Sequence, residues 1–270
     1  MNGFGIAGWH YSRPILDDRT MSLTQLPGAV RGLGLDVLEL CSAFFENQSA
    51  KYLLEVRTAI DDAGLRIPNI AVDGPDISIE DDTVRNVHLE ATKQWFHVAH
   101  AVGSQAIRVN SGGAADAPPD QLQRIAEGYQ ELAEMGEREG VPVLIENHGG
   151  ASTNPANIGY FLDFVGTKWF GSCPDSGNFP DRTWEEGIRI MAPHAQSTHI
   201  KVSMYSDDGW QEAQGRDGVD RSNDLKSFLA VLLTSGYTGP LCIEQGVSDD
   251  DLDASALGAV AYVKQLLSTL

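Results

Sequence analysis

The chain has 270 residues, 42% of them hydrophobic and 21% charged, which is enough to bury a large core in one large domain or two small ones. Acidic residues outnumber basic ones 38 to 19, giving a formal net charge of -19; so negative a surface repels phosphate backbones and anionic lipid heads and argues against nucleic acid and membrane partners. No apolar run approaches the roughly 20 residues of a membrane span, and the opening MNGFGIAGWHYSRP lacks the basic flank and long apolar core of a signal peptide, so a cytoplasmic location is expected.

In chain order, the β-prone runs are GFGIAG near residue 5, DVLELC near 38, IPNIAV near 69, QAIRVN near 107, VPVLIEN near 144, FGSCPD near 173, QSTHIK near 199 and PLCIEQ near 242. Each is followed by a segment of helical period. In KYLLEVRTAIDDAG the apolar stripe is Leu53, Val56, Ile60 and Ala63; in PDQLQRIAEGYQELAEMGEREG it is Leu122, Ile125, Ala126, Tyr129, Leu132 and Ala133. Gly34, Gly64, Gly103, Gly140, Gly166 and Gly236 fall where these segments should end, because glycine just past a helix adopts the left-handed conformation cheaply. Between Gly166 and Gly236 the interval doubles, and there Pro193 in MAPHAQSTHIKV supplies the missing stop. Eight β-then-α units in this length predict an α/β fold, a single-domain (β/α)8 barrel over residues 1–270, rather than an open doubly wound sheet. Cys41, Cys173 and Cys242 have neither zinc-ribbon nor redox spacing and read as small buried hydrophobes in a reducing compartment.

In such a barrel the active site lies at the C-terminal ends of the strands. Those ends carry unusual groups. VLIENHGG is an apolar run with the marks of a buried strand, yet it closes on Glu146, Asn147 and His148. Burying a carboxylate without a partner costs several kcal/mol, so Glu146 should face a counter-charge or water. Asp175, His199 and Glu244 end the next three strands in the same way. Side chains alternate along a strand, so Leu144 lies beneath Glu146, Cys173 beneath Asp175, Ser197 beneath His199 and Lys201, and Cys242 beneath Glu244. Any one of these groups is explained by a local salt bridge. The three carboxylates that converge with an imidazole would repel one another strongly unless a cation sat among them, and an oxygen-rich set with one nitrogen suits one divalent ion, Mn²⁺ or Mg²⁺, with Zn²⁺ or Co²⁺ as alternatives.

The segments LIENHGG, CPDSGNF, THIK and CIEQG, in this order within the eight-unit pattern, resemble the xylose-isomerase-like TIM barrels, the superfamily of sugar isomerases and epimerases, inosose dehydratases and endonuclease IV. The resemblance implies a single metal held by Glu146, Asp175, His199 and Glu244, binding neighbouring oxygens of a polyol or keto-sugar. Two features depart from the ketose 3-epimerases: Asn178 stands where their Asp-strand carries an imidazole, and His199 leads into Ile200 and Lys201 rather than a Gly-Glu segment with an Arg. The His-x-Lys pattern is instead similar to the inosose dehydratases. The three-metal cluster of endonuclease IV needs more strand-end histidines than this chain's seven scattered ones supply.

The chemistry common to these enzymes is removal of a proton next to a carbonyl, followed by isomerisation, epimerisation or loss of water. Glu146 and Glu244 are the expected proton carriers. Lys201 is either a second acid/base with its pKa lowered by a metal, or a structural counter-charge to the carboxylates. The substrate expected is a sugar, keto-sugar or cyclitol, with a non-catalytic sugar-binding barrel or an endonuclease IV-like nuclease as the less favoured readings; a homo-oligomer is compatible with all of these. Substrate contacts are expected from Trp9, His10, Glu39, Arg108, Asn110, His148, Asn178 and Arg216, and Phe44, Phe45, Tyr205 and Trp210 are aromatic residues that could wall a pocket. The polar, glycine-rich SMYSDDGWQEAQGRDGVDRSND reads as a lid or binding loop. His97 and His100 are three apart but precede the fourth strand, and read as packing on the outer ring.

Overall fold

A computed structural model of the chain describes residues 3–180, 183–202, 204–206, 209–211, 225–245 and 251–270. Arg216 and most of the long polar segment after the seventh barrel strand lie outside these residues, as do the side chains of Tyr205 and Trp210.

All eight predicted strand runs form strands: β1 (Phe4–Ala7), β2 (Val37–Cys41), β3 (Ile70–Val72), β4 (Ile107–Val109), β5 (Val143–Glu146), β6 (Phe170–Cys173), β7 (His199–Ile200) and β10 (Leu241–Ile243). They pair in parallel in the order β6-β5-β4-β3-β2-β1-β10-β7. Between β7 and β6 the ring is nearly closed by the bridges Ser172 to Ala195 and Asp175 to His199, with the His199 amide donating to the Pro174 carbonyl at 3.0 Å. The result is a single-domain (β/α)8 barrel. Seven of the eight strands are buried at every residue, as expected of a parallel sheet covered on its outer face by helices and filled inside by side chains. A short antiparallel hairpin, β8 (Met204–Ser206) with β9 (Gly209–Gln211), follows β7.

The helices are α1 (Leu26–Gly32), α2 (Ala50–Ala63), α3 (Asp82–Val102), α4 (Pro119–Glu139), α5 (Pro155–Val165), α6 (Trp184–Met191), α7 (Leu225–Thr234) and α8 (Leu252–Leu267). Several start on side-chain caps: Ser49 accepts from the Tyr52 amide, Asp81 from those of Thr83 and Val84, Asn154 from that of Ala156 and Asp251 from that of Ala254. Each such cap stabilises its helix by about 1 kcal/mol. Helices α2, α3, α4 and α5 end on Gly64, Gly103, Gly140 and Gly166 in the left-handed conformation, as their sequence positions predict. Chain reversal is therefore abrupt, and each helix returns directly onto the next strand.

The predicted stripes face the sheet. Leu53, Val56 and Ile60 of α2 and Ile125, Ala126, Tyr129, Leu132 and Ala133 of α4 are buried. Tyr129 joins the two layers: its hydroxyl donates to the Val109 carbonyl at 2.9 Å, and its ring packs on Phe161 and Phe170. The bond uses the last carbonyl of β4, next to Asn110, so the packing of α4 bears on the position of a strand end that carries polar groups. The three cysteines are buried free thiols, as expected. His97 and His100 lie on α3, and His100 Nε2 contacts Glu139 of α4 at 3.2 Å on the outside of the barrel.

Candidate metal centre and active site

At the C-terminal mouth, the four predicted ligands converge. Glu146 is the last residue of β5, His199 the first of β7, Glu244 follows β10, and Asp175 lies two residues beyond β6, held there by its bridge to His199 and by Asn147. The Asn147 side chain both accepts from the Asp175 amide, at 2.8 Å, and donates to the Asp175 carbonyl, at 3.0 Å. Glu146, Asp175 and His199 are completely buried and Glu244 is 8% exposed. One ligand atom from each, all four within 4.8 Å of one another, marks a common point. Oxygen ligands sit about 2.0–2.6 Å from Mg²⁺ or Ca²⁺, so atoms on opposite sides of a divalent cation lie about 4–5 Å apart. The spacing fits such an ion.

The orientation of His199 fits it too. Its Nδ1 lies 3.1 Å from Glu146 Oε1, 3.5 Å from Glu244 Oε2 and 3.7 Å from Asp175 Oδ2, so one ring nitrogen faces all three carboxylates. Glu146 Oε2, Asp175 Oδ2 and Glu244 Oε2 are buried without an aligned hydrogen bond. Such atoms need a cation beside them, and the chain's own Arg108 and Lys201 stand within 3.0 Å of all three, leaving the metal reading to rest on the convergence of the four ligands.

Two cations of the chain itself stand beside the cluster. Lys201 Nζ lies 2.9 Å from Asp175 Oδ2 and 3.0 Å from Glu244 Oε2, and donates to Asn178 Oδ1 at 2.8 Å. Asn178 in turn donates to Glu146 Oε1 at 3.1 Å. Arg108 Nε lies 3.0 Å from Glu146 Oε2, while its Nη1 lies 3.0 Å from Asp73 Oδ1 and donates to Asn110. Burial alone would raise the Glu146 pKa, but His199 and Arg108 hold it well below the usual carboxylate range. For Glu244, burial is likewise outweighed by His199 and Lys201. Asp175 goes the other way, to about 6, because burial and the neighbouring carboxylates exceed the pull of Lys201 and His199. Burial opposes the charge of Lys201, yet Asp175, Glu244 and Glu146 push its pKa well above the ordinary value. The chain's own charges therefore act on Lys201 in the direction opposite to the lowering expected from a metal.

Beside the cluster lies a cavity of about 370 Å³, lined by Trp9, Glu39, Cys41, Ala43, Asp73, Arg108, Asn110, His148 and Glu244. It falls within the range of small-molecule sites. Of the predicted substrate contacts, Trp9, Glu39, Arg108, Asn110 and His148 line it, and Asn178 lies between Lys201 and Glu146. Trp9 is 41% exposed and lies parallel to Phe44, with ring centroids 6.3 Å apart, so it offers an apolar face at the mouth. Phe45 packs edge-on against Tyr52 and Trp95 instead. His10 departs from its predicted role: it is completely buried, and its Nε2 meets the Leu252 carbonyl at 2.8 Å, tying the loop after β1 to the start of α8. Glu39, at 1% exposed, is engaged by His199 and Asn69 as well as by the cavity.

Sequence reasoning missed Asp73 and Asn69. Asp73 stands just past β3, where Oδ1 accepts from Asn110 at 2.9 Å and meets Arg108. Both residues belong to the alternation of IPNIAVDG, since Asn69, Ala71 and Asp73 share one face. Both glycines after His148 have positive φ, Gly149 at +68 with open space around it, and Gly150 has a steric reason besides. Gly150 sits at φ +58, and a Cβ there would lie 2.4 Å from the Gly112 carbonyl oxygen, whose hydrogen bond from the Ala151 amide (2.8 Å) joins the loops after β4 and β5.

The sequence profile described as the xylose isomerase-like TIM barrel matches residues 27–266. The chain belongs to this family. No curated protein matches the sequence. Similar solved structures include a D-psicose 3-epimerase determined in the presence of D-fructose, 17% identical over 98% of this chain and 99% of that one, with a TM-score of 0.74. An L-ribulose 3-epimerase is 20% identical over 100% and 95% of the two chains, with a TM-score of 0.75. A xylose isomerase-like TIM barrel protein from Mycobacterium smegmatis in complex with magnesium is 18% identical over 100% and 97%, with a TM-score of 0.71. At these identities the likeness is one of fold. No helix among the described residues of this family member is long and apolar enough to cross a membrane.

Proposed function

We propose that this member of the xylose isomerase-like family is a divalent-metal-dependent isomerase or epimerase of a sugar, keto-sugar or cyclitol, removing a proton next to a carbonyl. The observation that carries the reading is the buried Glu146, Asp175, His199 and Glu244 set opening onto a cavity walled by Trp9 and hydrogen-bonding side chains. The family and the sugar epimerases among the similar structures support it. Three carboxylates with one imidazole favour Mn²⁺ or Mg²⁺ over softer ions. When bound among these four residues, such an ion polarises a neighbouring substrate oxygen and acidifies the adjacent C–H.

The chain's own residues divide the remaining work. Glu244 lines the cavity and is held ionised by His199 and Lys201, so it is ready to accept a substrate proton. Glu146, also held ionised, is the second proton carrier, and two carboxylates in one site let a proton leave one face of a carbon and return to the other. Lys201 Nζ, 2.9 Å from Asp175 Oδ2 and 3.0 Å from Glu244 Oε2, is placed to donate to oxygen, and the carboxylates beside it favour its ammonium form. Asp73, Arg108 and Asn110 present linked donors and acceptors to substrate hydroxyls, and Trp9 offers its ring to an apolar sugar face.

Dehydration of the inosose-dehydratase type is the second reading. Lys201 favours it, because an ammonium within the site can protonate a departing hydroxyl. The test is incubation of the Mn²⁺-loaded chain in D₂O with unphosphorylated keto-sugars and inososes, followed by mass spectrometry. Deuterium entering the substrate without loss of water, and its absence in Glu244→Gln, supports the isomerase or epimerase; loss of water supports the dehydratase. Neither from any of these compounds refutes both.

A further inference from the structure

The imidazole of His199 has two faces, and only one belongs to the ligand cluster. On the other side, Nε2 lies 2.7 Å from Glu39 Oε2, across 160 residues of sequence, and Asn69 donates to the same oxygen, also at 2.7 Å. All three side chains are at most 1% exposed. An ionised carboxylate can only accept, so the short contact to Glu39 is a hydrogen bond when Nε2 carries a hydrogen. The other nitrogen, Nδ1, faces Glu146, Asp175 and Glu244, and it is the one a cation would take, displacing any proton held there.

We propose that Glu39, braced by Asn69, is the positioning residue of the metal centre: it selects the Nε2–H form of His199, fixes the ring plane and so presents Nδ1 to the cation. This rests on the metal reading above and assigns Glu39 a different task from the substrate contact expected of it. β2 and β7 are not neighbours in the barrel, since β1 and β10 lie between them. The contact therefore runs across the barrel interior, from a strand that supplies no ligand. A ring held from behind by a buried carboxylate cannot swing about χ2 without breaking that bond. The ligand nitrogen is thereby fixed before the cation arrives, and the carboxylate raises its basicity.

The test uses the full chain, Glu39→Gln and Asn69→Ala, each titrated calorimetrically with Mn²⁺, with thermal midpoints of the metal-free proteins as the control for folding. Glu39→Gln keeps the shape of the side chain and is expected to weaken Mn²⁺ binding about 10- to 100-fold, with a smaller loss in Asn69→Ala, which covers the case of a Gln variant that does not fold. A second readout separates positioning from general stability. Loaded with Co²⁺, the unaltered chain is expected to show a paramagnetically shifted imidazole N–H proton that exchanges slowly with D₂O, and Glu39→Gln to shift it and speed its exchange. Mn²⁺ affinities of the unaltered chain and Glu39→Gln that agree within about twofold, with the N–H signal unchanged, overturn this inference and leave the metal reading standing. An unaltered chain that binds no Mn²⁺ overturns both.

Discussion

Replacing Lys201 by Met separates the charge the chain supplies to its carboxylates from the charge a metal would supply. In the structure the ammonium lies 2.9 Å from Asp175 Oδ2 and 3.0 Å from Glu244 Oε2, with both carboxylates almost wholly buried. At an effective dielectric of about 20, each contact is worth roughly 5 kcal/mol of Coulomb energy, much of it offset by desolvation. Breaking a buried pair by removing one partner costs about 3–5 kcal/mol, and with the lysine side chain 32% exposed the lower end applies. At about 2–4 °C per kcal/mol for a chain of this size, the metal-free thermal midpoint should fall by about 6–12 °C. Saturating Mn²⁺ takes over the neutralisation, so the metal-loaded variant should lie much closer to the metal-loaded parent, and the variant should bind Mn²⁺ more tightly because no ammonium competes for the oxygens. Differential scanning fluorimetry of both proteins, with and without Mn²⁺, measures this. A metal-free midpoint unchanged within about 2 °C, or an equal drop in both states, refutes the reasoning.

Other outcomes follow from single contacts. Tyr129→Phe removes the donor to the buried Val109 carbonyl and should lower unfolding free energy by about 1–3 kcal/mol in a urea titration, with Mn²⁺ stoichiometry unchanged. Gly150→Ala combines a left-handed backbone with a Cβ 2.4 Å from the Gly112 oxygen; it should cost about 1–3 kcal/mol by the same titration, whereas Gly140→Ala, with open space around its Cβ, costs less. Trp9→Ala should raise KM for the turned-over sugar several-fold with kcat nearly constant, since its exposed ring contributes binding common to ground and transition states; a fall in kcat alone would contradict the stacking role.

The barrel was legible because its signals are local. Eight short β-prone runs and the glycines after the helices need no tertiary information, and each run became a strand. The strand-end carboxylates were legible for the same reason, since in a barrel the end of a strand is also a position in space. Long-range partners were not. Nothing in DVLELC says that Glu39 reaches His199, because that contact crosses the barrel between strands that are not neighbours. His10 looked like a pocket residue from its place after β1, but the π-helical and 3₁₀ turns there, over residues 8–17, bring it against Leu252 instead. Asp73 was overlooked although the alternation of its strand points it inward, because its partners Arg108 and Asn110 lie on the next strand.

The central claim is that Glu146, Asp175, His199 and Glu244 hold one divalent ion. Dialysis of the unaltered chain and of Glu146→Gln against Mn²⁺, followed by elemental analysis against protein concentration, tests it most directly. The account predicts about one Mn²⁺ per unaltered chain and a large loss in the variant. Equal metal contents in the two proteins, or none in the unaltered chain, would contradict it.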